Sequence, residues 1–423
     1  MLNFLEELKW RGMLHDMTPG AENVLNEGKV VGYIGFDPTA PSLTMGNYVQ
    51  IMLLKMFQMS GHQPIILMGG ATGRIGDPSF KDKERDLRSY EEVDRNLAFQ
   101  KEQFKKFLDF SGPNAAIIVN NFDFYNNMNV LDFLRDVGKT LTVSYMMSKD
   151  SVKTRLETGL SFTEFSYQLL QAYDFQLLFD KYNCILQMGG SDQWGNITSG
   201  TEFIRRNING KAYAMTTPLL TKADGTKFGK SEQGNIWLDP NLTTPYKFYQ
   251  FWINAADADL PKFMRYFSLK TREEVETLEA QYADNPRALK EILSEELTRR
   301  IHSDTDFESV MQVSQLLFGK NTDGNALKAM SLEQFSTISE EIPTKDINIA
   351  ETGNVVNIVD MLVHTEILSS KSEARKAIQG NAITINKEKI TSHEYIIRNE
   401  DFIHGRFLML ENGKKNKYLV RKI

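Results

Sequence analysis

The 423-residue chain holds a single cysteine, Cys184, so it can close no internal disulfide and build no multi-cysteine metal site, which fits a reducing compartment. Its six histidines, at positions 15, 62, 302, 364, 393 and 404, form no close-spaced pair, and a zinc centre has little support. No apolar run approaches membrane-spanning length, and the N-terminus MLNFLEELKWRG lacks the basic lead, apolar core and cleavage site of a secretory signal. A cytoplasmic protein with no membrane association is expected. Internal repeats and low-complexity segments are also missing. The composition, 41% hydrophobic and 25% charged, argues against disorder and is that of a globular chain long enough for two or three domains.

Net charge is −6, which by itself argues against a nucleic-acid partner, but the charge is uneven. From Lys371 onward there are 12 Lys and Arg against 6 Asp and Glu, a net +6 that leaves −12 for everything before it. A basic tail on an acidic body is the pattern of an appended nucleic-acid module, and also of a plain solvated surface.

The first half alternates buried-strand and helical patterns. Val30 to Gly35, Pro64 to Gly70, Ala115 to Val119 and Cys184 to Gly190 read as strands, with helices such as Val49 to Ser60 and Tyr90 to Phe110 between them. This predicts an α/β fold, a Rossmann-like, mostly parallel sheet covered by helices, whose ligands sit beyond the strand C-termini. From about Thr244 to Gly319 strand signals vanish and an all-α domain is expected. Residues 321–352 are polar and aperiodic, with Pro343, and read as a linker. The remainder reads as a small basic α+β module, with helices at Ile358–Val363 and Ser372–Ile378 and strands near Ile383, Phe407 and Tyr418.

The chain is organised around Tyr33-Ile34-Gly35-Phe36-Asp37-Pro38-Thr39-Ala40-Pro41-Ser42-Leu43-Thr44-Met45-Gly46-Asn47. A β-branched run stops at Gly35, prolines and hydroxyl residues follow, and a helical pattern starts near Tyr48. Strand, tight turn and helix together aim backbone N–H groups and a partial positive charge at one point, which suits phosphate. A second turn, Gly69-Gly70-Ala71-Thr72-Gly73-Arg74-Ile75-Gly76-Asp77-Pro78-Ser79, offers four glycines and an acceptor, or is merely a long loop. The charged run Lys81-Asp82-Lys83-Glu84-Arg85 follows it.

In the helical stretch Phe165 to Phe175, the polar residues Tyr167, Gln171 and Asp174 fall at i, i+4 and i+7 and share a face. Apolar residues surround them on nearly every other side, so Asp174 is expected to be buried with a polar partner, either protein or ligand. The fourth strand runs into Gly189-Gly190-Ser191-Asp192-Gln193, where an acidic residue after glycine suits ribose hydroxyls or simply caps a helix. Lys222 to Ser231 is a flexible cationic loop with lysines at 227 and 230. Its glycine spacing does not match the phosphate-binding loop motif.

Taken together, Ser161–Phe175, Gly189–Asn196 and Lys222–Ser231 resemble the bacterial tyrosyl-tRNA synthetase family, and the resemblance spans essentially the whole chain. The opening stretch stands where this family carries the class I signature, usually His-x-Gly-His, and Lys227-Phe228-Gly229-Lys230-Ser231 stands for Lys-Met-Ser-Lys-Ser. The resemblance implies domains at 1–240 (catalytic, with a dimer-interface segment over Val130 to Met147), 241–320 (helical, of anticodon-binding type), 321–354 (linker) and 355–423 (RNA-binding). It implies that Tyr33 and Asp174 hold a substrate phenol, that Asp77, Tyr167 and Gln171 hold its ammonium, and that Gln187 and Gln193 complete the amino-acid site. It assigns Gly35, Asp37, Thr39, Gly46, Gly190, Asp192, Lys230 and Ser231 to ATP, and Thr44, Asn47, Lys81, Arg85, Lys227 and Lys230 to stabilising the reaction. Thr44 and Asn47 replace the signature histidines, yet a hydroxyl and a carboxamide can each donate to a phosphate oxygen. ATP with magnesium, tRNA, and a homodimer are implied, with no tightly bound cofactor.

A carboxylate is ionised at neutral pH, so its attack on an α-phosphate needs positioning and charge stabilisation rather than a general base. Two other readings stay open on sequence grounds. The first is tryptophanyl-tRNA synthetase, where the signature also takes the form Thr-x-Gly-Asn. The second is a catalytically reduced RNA-binding relative.

Overall fold

A computed structural model describes residues 2–79, 87–149, 152–153, 155, 159–231, 234–318, 324–348, 355–413 and 416–423. They form two compact units, one of residues 1–244 and 251–297 and one of residues 245–250 and 298–423. The helical stretch expected as a domain of its own, 241–320, is shared between the two.

The first unit is built on a six-stranded sheet. Its strands are β1 (Asp16–Met17), β2 (Val31–Phe36), β3 (Gln63–Met68), β4 (Ile117–Asn120), β5 (Cys184–Gly190) and β6 (Tyr213–Thr217), in the order β1-β6-β5-β2-β3-β4. All neighbours run parallel except the short edge strand β1, which is antiparallel to β6. The apolar runs at β2, β3 and β5 are nearly continuous because helices cover both faces. From β2 the chain winds through β3 to β4 in one direction, and from β5 to β6 in the other. The order therefore reverses between β2 and β5, and the crevice where doubly wound sheets take ligands opens there.

Local sequence sets the elements that border this crevice. The helix Met45–Met59 starts at Thr44, whose side chain and that of Asn47 form a reciprocal capping box. Ser161 caps the helix Phe162–Tyr182, and Asn183, in the left-handed region at φ 51°, ends it. That helix is buried along most of its length, and Phe175 and Leu178 pack with Tyr33, Ile65 and Leu67 beneath the sheet. Gly69 sits where Asp37 crosses it, since a Cβ there would lie 2.0 Å from Asp37 Oδ1. No helix among the described residues is long and apolar enough to cross a membrane.

In the second unit a five-stranded sheet runs in the order Glu388–Lys389, Ile383–Ile385, Phe407–Asn412, Asn416–Lys422, Thr344–Ile347. The helices Ile358–His364 and Lys371–Gln379 share one apolar core with it. The stretch read as a linker carries the helix Leu332–Glu341 and the strand Thr344–Ile347, which pairs in parallel with Asn416–Lys422. Its polar look comes from a half-exposed edge strand and an amphipathic helix rather than from an absence of structure.

Candidate active site

A cavity of about 530 Å³ fills the crevice between β2 and β5. From the first turn and its helix it is lined by Tyr33, Gly35, Asp37, Thr39, Thr44, Gly46 and Asn47. Asp77 comes from the second turn, Tyr167, Gln171 and Asp174 from the buried helix, and Gln187, Gly190, Asp192 and Gln193 from β5 and the turn after it. Lys227 and Lys230 close it from the cationic loop. Lys81 and Arg85 lie outside the described residues. Ser231 is placed by its backbone in the short strand Lys230–Ser231.

The deep end is held by an unbroken set of hydrogen bonds. Asp174 is 1% exposed, and its carboxylate accepts from Tyr125 Oη at 2.6 Å and from Asn121 Nδ2 at 2.9 Å. Asn121 Nδ2 also donates to Thr72 Oγ1 at 3.1 Å, and Asn121 Oδ1 accepts from the Ala71 amide at 2.7 Å. Thr72 Oγ1 donates to Asp37 Oδ1 at 2.6 Å, and the other Asp37 oxygen accepts from Tyr167 Oη at 2.8 Å. Burial pushes the Asp174 carboxyl up to about 7, against the lowering by its two donors, with nearby Asp37 adding to the rise. Burial also raises the Tyr33 and Tyr167 phenols well above their ordinary range, with Asp174 and Asp37 respectively as the next causes.

Five buried polar atoms of residues lining the cavity have no partner among the described residues: Tyr33 Oη, Gln50 Oε1, Gln100 Oε1, Gln171 Oε1 and Gln187 Oε1. Leaving such groups unpaired costs about 1–3 kcal/mol each, so their gathering around one cavity marks a site shaped for a polar ligand. Tyr33 and Asp174 lie at the deep end, a hydroxyl donor and a carboxylate acceptor. Nearer the middle, Gln193 Nε2 donates to Asp77 Oδ2 at 2.7 Å, and the Ser79 amide donates to Asp77 Oδ1 at 2.9 Å.

The first turn and the cationic loop are stitched together through backbone. The Met45 amide donates to the Ile236 carbonyl, the Ile236 amide to the Gly229 carbonyl, and the Leu238 amide to the Leu43 carbonyl. Gly229, at φ +82°, packs so closely that a Cβ would lie 2.9 Å from the Gly46 nitrogen. Between the two exposed lysines Phe228 is buried, packing against Phe251, Trp252, Phe263 and Phe267 at ring separations of 5.1–5.9 Å. Lys227 and Lys230 line the cavity, and neither has a carboxylate partner among the described residues.

Thr72, Asn121, Tyr125 and Gln50 belong to this constellation and escaped the sequence reading. Thr72 sat inside a turn read for its glycines. Asn121 and Tyr125 follow β4, the one of the four strands read from the sequence that does not run into glycine, and the available signal was a polar residue just past a strand C-terminus.

Residues 25–319 match the family described as tRNA synthetases class I (W and Y). The chain belongs to that family. Residues 334–420 match the C-terminal domain of tyrosine–tRNA ligases of the SYY-like type. Over its whole length the chain is 53% identical to the tyrosine–tRNA ligase of Cytophaga hutchinsonii, covering 100% of both. It is 48% identical to that of Bacteroides fragilis, covering 99% of both. A truncated mitochondrial tyrosyl-tRNA synthetase of Aspergillus nidulans superposes with a TM-score of 0.68 at 30% identity, over 75% of this chain and 94% of that one.

Proposed function

We infer that this protein joins tyrosine to its tRNA at the expense of ATP, forming tyrosyl-adenylate with release of pyrophosphate and then passing the tyrosyl group to the terminal adenosine of the tRNA. The observation that carries the amino-acid choice is the pairing of Tyr33 Oη, buried and unpartnered, with the Asp174 carboxylate at the deep end of the cavity. A phenol satisfies both, donating to Asp174 and accepting from Tyr33. An indole lacks the acceptor for Tyr33, and phenylalanine leaves both unpaired. Rejection of phenylalanine on this ground is already known for this enzyme family.

In this reading Asp77, Tyr167 and Gln171 accept from the substrate ammonium and Gln187 and Gln193 lie along its carboxylate side. The carboxylate attacks the α-phosphate of ATP, whose ribose lies against Gly190 and Asp192 and whose phosphates pass Gly35, Asp37, Thr39 and Gly46. Lys227 and Lys230, with Asn47 oriented by Thr44, stabilise the charge that gathers on the departing pyrophosphate. Lys81, Arg85 and Ser231 are assigned the same end by resemblance. Magnesium arrives as part of the substrate, bound to ATP.

Residues 355–423, with their basic surplus, form the tRNA-binding module, and the helices over 241–320 supply the anticodon-side contact. Val130, Leu131, Leu134, Val143, Met147 and Phe162 are exposed, Leu131 and Phe162 by more than 70%. An apolar patch of this kind fits a second copy of the chain, so the working form is a homodimer joined through 130–147. The cytoplasm is its compartment. The deciding experiment is ATP–pyrophosphate exchange with each of the twenty amino acids: tyrosine alone should support it. Exchange with tryptophan instead, or with none while tRNA still binds, overturns the assignment.

A further inference from the structure

Tyr125 does not line the cavity, yet its hydroxyl makes the shortest contact to the carboxylate at the cavity's deep end, donating to Asp174 Oδ1 at 2.6 Å. The same hydroxyl oxygen lies 3.0 Å from the Leu170 carbonyl, one helical turn before Asp174. A phenol has one proton and cannot give it to both acceptors. With Asp174 ionised, the shorter and charge-assisted bond takes the proton. With Asp174 protonated on Oδ1, the carboxyl donates to Tyr125 Oη and the Tyr125 proton turns to Leu170. Asn121 Nδ2 donates to Oδ2 at 2.9 Å in either state, which keeps the proton off that oxygen.

From this geometry we propose that Tyr125 is a positioning residue for tyrosine selection, its hydroxyl orienting Asp174 and favouring the ionised carboxylate that accepts the substrate phenol. The proposal rests on the reading of Tyr33 and Asp174 as the phenol site. Burial works against that ionised state, and the Tyr125 hydrogen bond is the first of the two that oppose burial, ahead of Asn121. The other titratable groups facing Asp174 are Tyr33 from β2, Asp37 from the turn after it, and Tyr167 from its own helix. None of them donates to the Asp174 carboxylate, and Asp37 disfavours its charge. Without Tyr125 Oη the carboxyl therefore keeps its proton to a higher pH. A protonated Asp174 then turns from acceptor to donor.

Tyr125→Phe tests this, because the ring keeps its packing against Tyr173 and Phe133, at 6.2 and 6.4 Å, and only the hydroxyl is lost. Measured by ATP–pyrophosphate exchange, KM for tyrosine should rise about tenfold near neutral pH while kcat stays within about twofold, as for loss of one charge-assisted hydrogen bond in the ground state. The acid limb of kcat/KM for tyrosine should move to higher pH, and kcat/KM for phenylalanine should not change, so the tyrosine preference shrinks by the same factor. Asp174→Asn, assayed alongside, tests the phenol site itself: retention of tyrosine selectivity there overturns that reading and the proposal with it. If Asp174→Asn loses selectivity while Tyr125→Phe keeps the parent KM and acid limb, the phenol site stands and the role of Tyr125 falls.

Discussion

The Thr44 hydroxyl donates to the Asn47 carboxamide oxygen at 2.8 Å, and that same oxygen accepts from the Thr44 amide at 3.0 Å. The two residues that stand in for the signature histidines thus form one unit. Thr44 has committed its only side-chain proton, and the donors left for phosphate are those on Asn47 Nδ2.

Asn47→Ala is expected to slow adenylate formation about 100-fold while changing tyrosine affinity little, since it removes a donor used as charge develops. Thr44→Val should cost less, because its hydroxyl acts by orienting Asn47, together with about 1 kcal/mol of stability for the lost cap. Exchange kinetics set against equilibrium tyrosine binding decide it. Equal losses in rate and affinity would mean that this turn places substrate.

Asp174 also makes stability depend on pH. Its folded-state pKa is raised to about 7, so the fold binds a proton more tightly than the unfolded chain, and this group's unfavourable contribution grows as pH rises from the ordinary carboxylate range through about 7. Asp174→Asn mimics the protonated state, with its NH2 toward Tyr125 and its oxygen toward Asn121. The variant should melt above the parent at pH 8, by roughly a few kcal/mol in stability, with the gap shrinking toward pH 5. A gap that widens on acidification would refute the buried-charge account.

Phe228 anchors the lysine loop by burial rather than by charge. Phe228→Ala should reduce kcat for adenylate formation at least tenfold by releasing Lys227 and Lys230, and should leave the KM for tyrosine near the parent value. Loss of tyrosine binding in this variant would show that the aromatic cluster supports the deep pocket as well.

Removing the basic module should abolish tRNA charging and spare pyrophosphate exchange. The cut belongs ahead of Thr344 rather than at residue 355, because the strand Thr344–Ile347 pairs with Asn416–Lys422 and would be left without a partner. Unchanged charging by the shortened chain would remove the case for an RNA role.

A charge placed in the exposed apolar patch, as in Leu131→Asp, should yield monomers by sedimentation at concentrations where the parent is dimeric. A parent that is monomeric throughout would dispose of the homodimer.

Much of this was legible in the residues. The strands at β2, β3 and β5 announced themselves as apolar runs ending in glycine, and Tyr167, Gln171 and Asp174 announced one face of a buried helix. What escaped was what another element supplies. Nothing local to Tyr125 says that a carboxylate forty-nine positions later will accept its proton. The strand at Thr344–Ile347 acquires its identity only from the C-terminal strand beside it, so a short polar segment read as linker.

Gly46 and Gly229 touch through atoms that every residue possesses. The distance between the first turn and the lysine loop at this point is therefore gauged by main chain. Substitutions at positions 44 or 47 exchange chemistry without resetting that spacing. The spacing itself has almost no latitude: any side chain at Gly229 wedges the two apart, whatever its polarity. Position 229 therefore calls for a residue that contributes nothing beyond its absence of bulk.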